Sequence, residues 1–535
     1  MKIRLPLSLR AVLLACMSAG ASVTAYSATL TWYGEYTNPD NPPTFIQKWW
    51  QGDAFTGSPT NLQPGDNTSF GNVNPSNDTP RQGQQTVEFV EKQNYGEFLL
   101  DSNLEWIITT AGSTWTSVSI KGTGTGVTFT DGIETSGNLT ATGNTTILGD
   151  AVVGGTLTQA SGTLSAKNLR AGSLGTINRI NLSGMLTTSS WGLASGGTIT
   201  ASSFNGREGS ADLKLTQSTT LILTGNEAVS LDSLTIDKGS SLSYAADLDV
   251  ANAFTVSGTL TDQDHTITVA NGPSSITGTV EAGSLTISNG TLTTGTNTKI
   301  NLTGQLSLAD WTLGAGTITA KSLSADGVST LVLAGTKLTL TGSYENLTWG
   351  SLSISSQGWL NTNATPSLPQ TITINGDLSI ASGSTWDARG TQTGAKGHNI
   401  IVSGDASILG KIWGNSLTLN GDLTTGSGTT IGLTESLSAN SWTLGQGTII
   451  AKSLTTNNTS ALILNGTSLT LSGTDSMDLL SLAIESNSTF STQSDLAIVN
   501  GITVAGTLKS PNRAITVTNG PSSITGTVEA GSLTI

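Results

Sequence analysis

The chain is poor in the residues that carry most protein chemistry. Its 535 residues include one cysteine, Cys16, and two histidines, His265 and His398. A transition-metal site usually draws three or four ligands from these side chains, so neither a metal nor another cofactor is expected. Cys16 also falls in a segment expected to be removed, which leaves an extracellular chain without disulfides. Charged residues make up 11%, against about 25% in ordinary globular domains. The 36 acidic residues outnumber the 22 basic ones, for a net charge of −14. A chain of that balance lacks the basic footprint of a nucleic-acid or anionic-lipid binder. Aromatic residues are scarce at 5%, yet apolar residues as a whole reach 36%. They alternate with polar ones, which argues against disorder.

What the chain does contain is repetition. Residues 271–287 and 519–535 both read NGPSSITGTVEAGSLTI, 248 positions apart (519 minus 271). A longer pattern places Trp191, Trp311 and Trp442 a few residues before Gly197-Thr198-Ile199, Gly316-Thr317-Ile318 and Gly447-Thr448-Ile449. Between these marks lie four-residue stretches such as Ser284 to Ile287 and Lys337 to Leu340, in which apolar residues alternate with Ser, Thr or Lys. Each reads as a short half-buried strand. Pairs such as Thr303-Gly304 and Thr341-Gly342 supply the tight corners between them. Units of this kind bury their apolar side by stacking on the next unit, and about 20 residues per coil follows from the strand spacing. The expected fold is all-β, a stacked β-solenoid over 116–535, and helices should be almost absent.

Two N-terminal segments differ from the array. Residues 1–28 carry Lys2, Arg4 and Arg10 ahead of a short apolar run from Ala11 to Ala15 and then small residues. This is the layout of a secretory signal peptide. Leu13, Leu14 and Ala15 before Cys16 loosely resemble a lipoprotein box, although a cysteine inside an ordinary signal is the simpler reading. Residues 29–115 hold Trp32, Trp49, Trp50 and Trp106 and most of the prolines. They are expected to form an irregular, aromatic-rich cap over the open strand edge of the array. The alternative is a sugar-binding platform built from Trp32, Trp49 and Trp50.

Candidate chemistry is sparse. Asp262-Gln263-Asp264-His265 could be an acid/base or metal group, but 248 residues on the same positions hold Ser510, Pro511, Asn512 and Arg513. A solvated turn is the simpler expectation. His398 lies in a Gly-rich corner with no carboxylate closer in sequence than Asp387 and Asp405, and it is expected to be solvated or capping. Asp237 and Asp247 correspond to Glu485 and Asp495 in the later copy and read as turn residues. Recurrence of Trp191, Trp311 and Trp442 favours packing. The unrepeated Trp349, Trp359, Trp386 and Trp413 are the candidates for an exposed, ligand-contacting aromatic row. No catalytic residue is assigned.

The signal peptide, the opening Ala28-Thr29-Leu30-Thr31-Trp32, Pro64-Gly65-Asp66-Asn67 with Phe70 beyond it, and rungs of the type Lys337-Leu338-Thr339-Leu340-Thr341-Gly342 together resemble the passenger region of Gram-negative autotransporters with passenger-associated β-strand repeats. The resemblance implies a right-handed parallel β-helix, export, display at the outer membrane or release outside the cell, and adhesion to glycans or to host or environmental surface proteins. The Asn-Thr-Tyr-Ser-Gly-Gly type of repeat core is not present. No stretch has the strand length and aromatic girdle of a transmembrane barrel, and nothing after Trp442 is Trp or Tyr. Anchoring would thus need a barrel beyond Ile535 or another device, and Ile535 is expected to mark a truncation. The competing expectation is a polysaccharide lyase or glycosidase on a β-helix, which would need acidic side chains converging on adjacent rungs.

Overall fold

The computed structural model describes residues 105–535 except 122–125, 189–191, 194–195, 207–211, 325–328, 343–345, 363–369, 390–396, 441 and 456–460. Before residue 105 it describes strand segments, from Thr29–Trp32 to Asn94–Asp101. The expected signal peptide, 1–28, lies outside the described residues. Among the described residues there is no helix, and parallel strands stack as a β-solenoid of about 19 turns. The chain divides into two compact units, Met1–Leu231 with Ile236–Ala245, and Asp232–Thr235 with Ala246–Ile535.

In the first unit, parallel pairing runs from Thr29–Trp32 through Asn67–Gly71 and Asn94–Asp101 to Thr114–Lys121. It thus crosses the change in composition near residue 115. Trp49–Gln51 pairs antiparallel with Thr29–Trp32, and Pro59–Thr60 pairs antiparallel with Trp49–Gln51. Antiparallel strands laid on the edge of a parallel stack occupy the backbone groups that another chain could otherwise use. Further on the rungs become even: Ile133 pairs with Ala151 and Ala151 with Leu169, equal steps along the sequence.

In the second unit each rung contributes three short strands to three faces. Face I contains Lys299–Leu302, Thr336–Leu340, Trp359–Asn361, Thr385–Asp387, Lys411–Gly414 and Thr430–Leu433. Face II contains Gln305–Leu308, Ser322–Ser324, Thr371–Ile374, Asn399–Val402 and Ser416–Leu419. Face III contains Thr330–Ala334, Ser351–Ser355, Leu378–Ile380, Ala406–Ile408 and Leu423–Thr425. Alternation decides which side chains turn inward. Leu285 and Ile287 are buried while Ser284 and Thr286 between them face outward. Inward columns are accordingly aliphatic, as in Leu338, Leu360, Trp386, Ile412 and Ile431, whose one exception is the indole.

Corners turn where side chains cannot be tolerated. Gly290 has φ +95°, and a Cβ there would lie 2.4 Å from the carbonyl oxygen of Gly272 in the preceding rung. Glycine fits both the conformation and the close approach.

Rung length sets where the surface departs from regularity. Leu462 pairs with Leu482 and Leu482 with Ile502, so two successive rungs there are equally long. The rungs from Leu352 to Leu378 and from Leu378 to Ala406 are distinctly longer, and the next, from Ala406 to Leu423, is shorter again. The extra length leaves between faces I and II, after Thr362 and after Arg389.

Candidate binding face

The widened rungs gather the chain's unusual side chains on face I and at its corner with face II. Registered pairing puts Asn361, Asp387, Trp413 and Gly432 in one outward column. A parallel column holds Lys299, Thr317, Lys337, Trp359, Thr385, Lys411 and Thr430. Neighbouring members of a column are about 4.8 Å apart, because that is the spacing of hydrogen-bonded strands.

Asp387 occupies an outward position and is nevertheless 6% exposed. Its carboxylate accepts two hydrogen bonds from the Arg389 guanidinium, Nε to Oδ1 at 2.9 Å and Nη2 to Oδ2 at 2.7 Å, and a third from the Arg389 backbone N–H at 3.2 Å. A carboxylate removed from water needs such a set of donors, and the planar fork of arginine supplies two in parallel. The hydrogen bond to Asp387 also raises the Arg389 pKa. Arg389 remains half in solvent, with its Cζ 4.8 Å from the centre of the Trp413 ring. That contact is a cation–π pair. Trp413 in turn lies against Gly432, where a Cβ would come 2.5 Å from the indole Cδ1. Glycine at that position lets the indole lie flat along the ladder.

His398 forms the floor of the corner. It is 3% exposed, its Nε2–H donates to the carbonyl of Thr362, and its backbone N–H donates to Ala388 at 2.8 Å. Burial pushes its pKa below the ordinary value, opposed by the carbonyls of Thr362 and Gln370. The ring is therefore neutral near pH 7 and holds the base of the corner together. Of the two expectations, solvated or capping, the solvated one is corrected: the ring is buried and caps the Thr362 carbonyl. Beside it Asn415 Nδ2 donates to Asn399 Oδ1 at 2.8 Å, and Thr434 Oγ1 donates to Asn415 Oδ1 at 2.8 Å, a polar ladder up the corner.

The aromatic candidates separate by parity. Trp349 and Trp386 are 1% and 0% exposed, with their rings 6.2 Å apart in the core. The expected exposed row is corrected for these two. Both share the inward parity of Leu347 and Ile412, a period-two signal already present in Asn346-Leu347-Thr348-Trp349. Trp386 Nε1–H donates to Thr362 Oγ1 at 3.2 Å, which satisfies its one polar atom. Trp413 is half-buried, and Trp359 is 42% exposed. The backbones of Trp32, Trp49 and Trp50 lie in described strands, but their side chains lie outside the described residues, as does Trp191. Trp311 and Trp442 are buried at 4% and 2%, as packing residues should be.

The acidic motif at 262–265 is structural. Asp262 is 8% exposed, its Oδ2 is 2.6 Å from His265 Nδ1, and its Oδ1 accepts the N–H of Asp264 at 3.0 Å. The expected solvated turn is corrected for Asp262: a break in register after this residue folds its side chain onto its own turn. In the later copy Ser510 fills the same buried position and donates to the Ser494 carbonyl at 3.0 Å. Asp247 and Asp495, equivalent positions of the two copies, each accept a backbone N–H at 2.8 Å, from Thr266 and Ala514. Repetition preserved that acid because it pins the strand after the bulge. Asp237 and Glu485 both sit in tight turns, their carbonyls accepting from Ser240 and Ser488 at 3.0 Å.

A recess of about 280 Å³ opens in the first unit between Glu134 and Arg170. Among the described residues no group of three or more His, Cys, Asp or Glu side chains could hold a metal ion. Comparison with family models, curated proteins and solved structures returned no match.

Proposed function

We propose that this chain is a binding solenoid of the autotransporter-passenger kind, exported by a Gram-negative cell and displayed at its surface or released. In this reading it contacts glycans or surface proteins through face I of the widened rungs. The observation that carries this reading is Trp359. A large indole at 42% exposure stands in a column of Lys and Thr on a flat ladder, one column over from Asn361, Asp387 and Trp413. Indole faces stack on sugar rings, and flanking hydroxyl, amide and ammonium groups supply hydrogen bonds. Affinity on such a surface sums over many weak contacts.

The alternative of a glycan-cleaving enzyme requires a pair of carboxylates about 5 to 10 Å apart. On this face the single described acid between Lys299 and Trp413 is Asp387, and Arg389 already engages both of its oxygens. That arrangement favours binding over cleavage.

The test is retention of the protein on a panel of immobilised polysaccharides, with Trp359→Ala beside the parent. Trp359 projects outward, so the substitution should leave folding within about 0.5 kcal/mol while weakening retention about tenfold, the loss of one stacked ring. Unchanged retention would remove Trp359 from the site. Release of shortened saccharides by the parent protein would replace the binding reading with the enzymatic one.

A further inference from the structure

Net charge conceals how the charges are distributed. Between Lys299 and Trp413, face I and its two bordering corners carry Lys299, Lys321, Lys337, Arg389 and Lys411, all exposed. Among the described residues of the same surface the only acid is Asp387, buried and paired with Arg389. This is a basic strip on a chain whose formal charge is −14. The acids of the same rungs lie at the corner between faces II and III. There Asp377, Asp405 and Asp422 stack, each of the last two donating its N–H at 2.9 Å to the carboxylate before it. Stacking imposes this segregation, because one residue per rung recurs at the same place and builds a column of one sign.

Resting on the binding reading above, we propose that face I between Lys299 and Trp413 is a docking strip for an acidic polysaccharide lying along the stacking direction. Charge complementarity sets the sign of the occupant. Spacing favours a sugar polymer over a nucleic acid. Lys299 and Lys337 are two rungs apart and Lys337 and Lys411 three, which is about 10 and 14 Å at about 4.8 Å per rung. A nucleic-acid strand presents a phosphate about every 3.4 Å and is met by dense lysine and arginine. One ammonium per two or three rungs, interleaved with Trp359, Thr317, Thr385 and Asn361, instead suits a chain with a carboxylate on alternate rings and hydroxyls between. The Trp359 ring, flanked in its column by Lys337, is placed to stack on an uncharged ring while the ammonium meets its neighbour.

Affinity electrophoresis of the full chain through gels containing hyaluronate or neutral dextran tests this. Hyaluronate should retard the protein and dextran should not. Lys337→Ala with Lys411→Ala should weaken retardation about tenfold and flatten its dependence on salt, since fewer counterions are exchanged. Lys337→Arg with Lys411→Arg should restore it. Asp377→Asn with Asp405→Asn, on the opposite ridge, should leave it close to that of the parent. Equal retardation by dextran, still lost in Trp359→Ala, would keep the binding reading and overturn the acidic ligand. No retardation by either polymer or by any other polysaccharide of the panel would overturn both. Displacement of hyaluronate by single-stranded DNA at matched charge would overturn the choice of a saccharide.

Discussion

Rungs between Leu462 and Ile502 and rungs between Leu352 and Ala406 follow the same ladder of parallel strands, but the first are short and even while the second spend several more residues per turn. In the regular rungs the inward positions are Leu469 and Phe490 and the outward ones Ser468, Thr489 and Thr470. In the widened rungs the inward column takes Trp386 and the outward columns take Trp359 and Asp387, with Trp413 next in the Asp387 column on the shorter rung that follows. The ladder fixes the strands, so extra residues can leave only at a corner, where no pairing is broken. Irregularity at one corner is thus the place where an array of equivalent rungs acquires a distinct surface.

Three substitutions would sharpen or break that contrast. The largest effect is expected at the core. Trp386→Leu restores the aliphatic residue found elsewhere in the column. If the widened rung needs the larger side chain, the cavity should cost about 2 kcal/mol in urea unfolding. A cost near zero would mean that the rung is no wider inside than its neighbours.

A smaller effect is expected on acidification. The His398 pKa is lowered from 6.5 by burial. Below that value the unfolded chain binds the proton more readily than the folded one, so stability present at neutral pH is lost as pH falls through the folded pKa. Protection factors for amide exchange at His398 and Asn415 should fall between pH 7.5 and 5.5, the amides slowing less than the intrinsic rate does, and His398→Gln should abolish the excess. The same excess in the regular rungs would locate its cause elsewhere.

The smallest effect is expected from Asp387→Asn. Arg389 is half in solvent, so losing the ion pair should cost about 1 kcal/mol. The sharper readout is Trp413 fluorescence, which should change as the guanidinium leaves the ring.

Much of this is legible in the sequence. The Ser-Leu-Thr-Ile stretches, the Gly-rich corners and the exact duplication at 271–287 and 519–535 dictate strands, turns and stacking. Parity also sorts the aromatics: in Gly358-Trp359-Leu360-Asn361 the leucine claims the inward position, and in Thr385-Trp386-Asp387 two polar residues leave it to the indole. His398 escapes such a reading because the carbonyl its ring bonds, that of Thr362, lies 36 residues away in sequence. No local pattern announces that pairing.

The sequence alone determined that strands would form, where they would turn and that they would stack, because alternation and corner chemistry are local. Tertiary structure alone decided that Lys299, Lys337 and Lys411 share a column, that Asp387 meets Arg389 over a buried site, and which rungs widen. Those outcomes depend on the register between rungs of unequal length, and register is set by burial and ladder hydrogen bonding across the stack rather than along the chain.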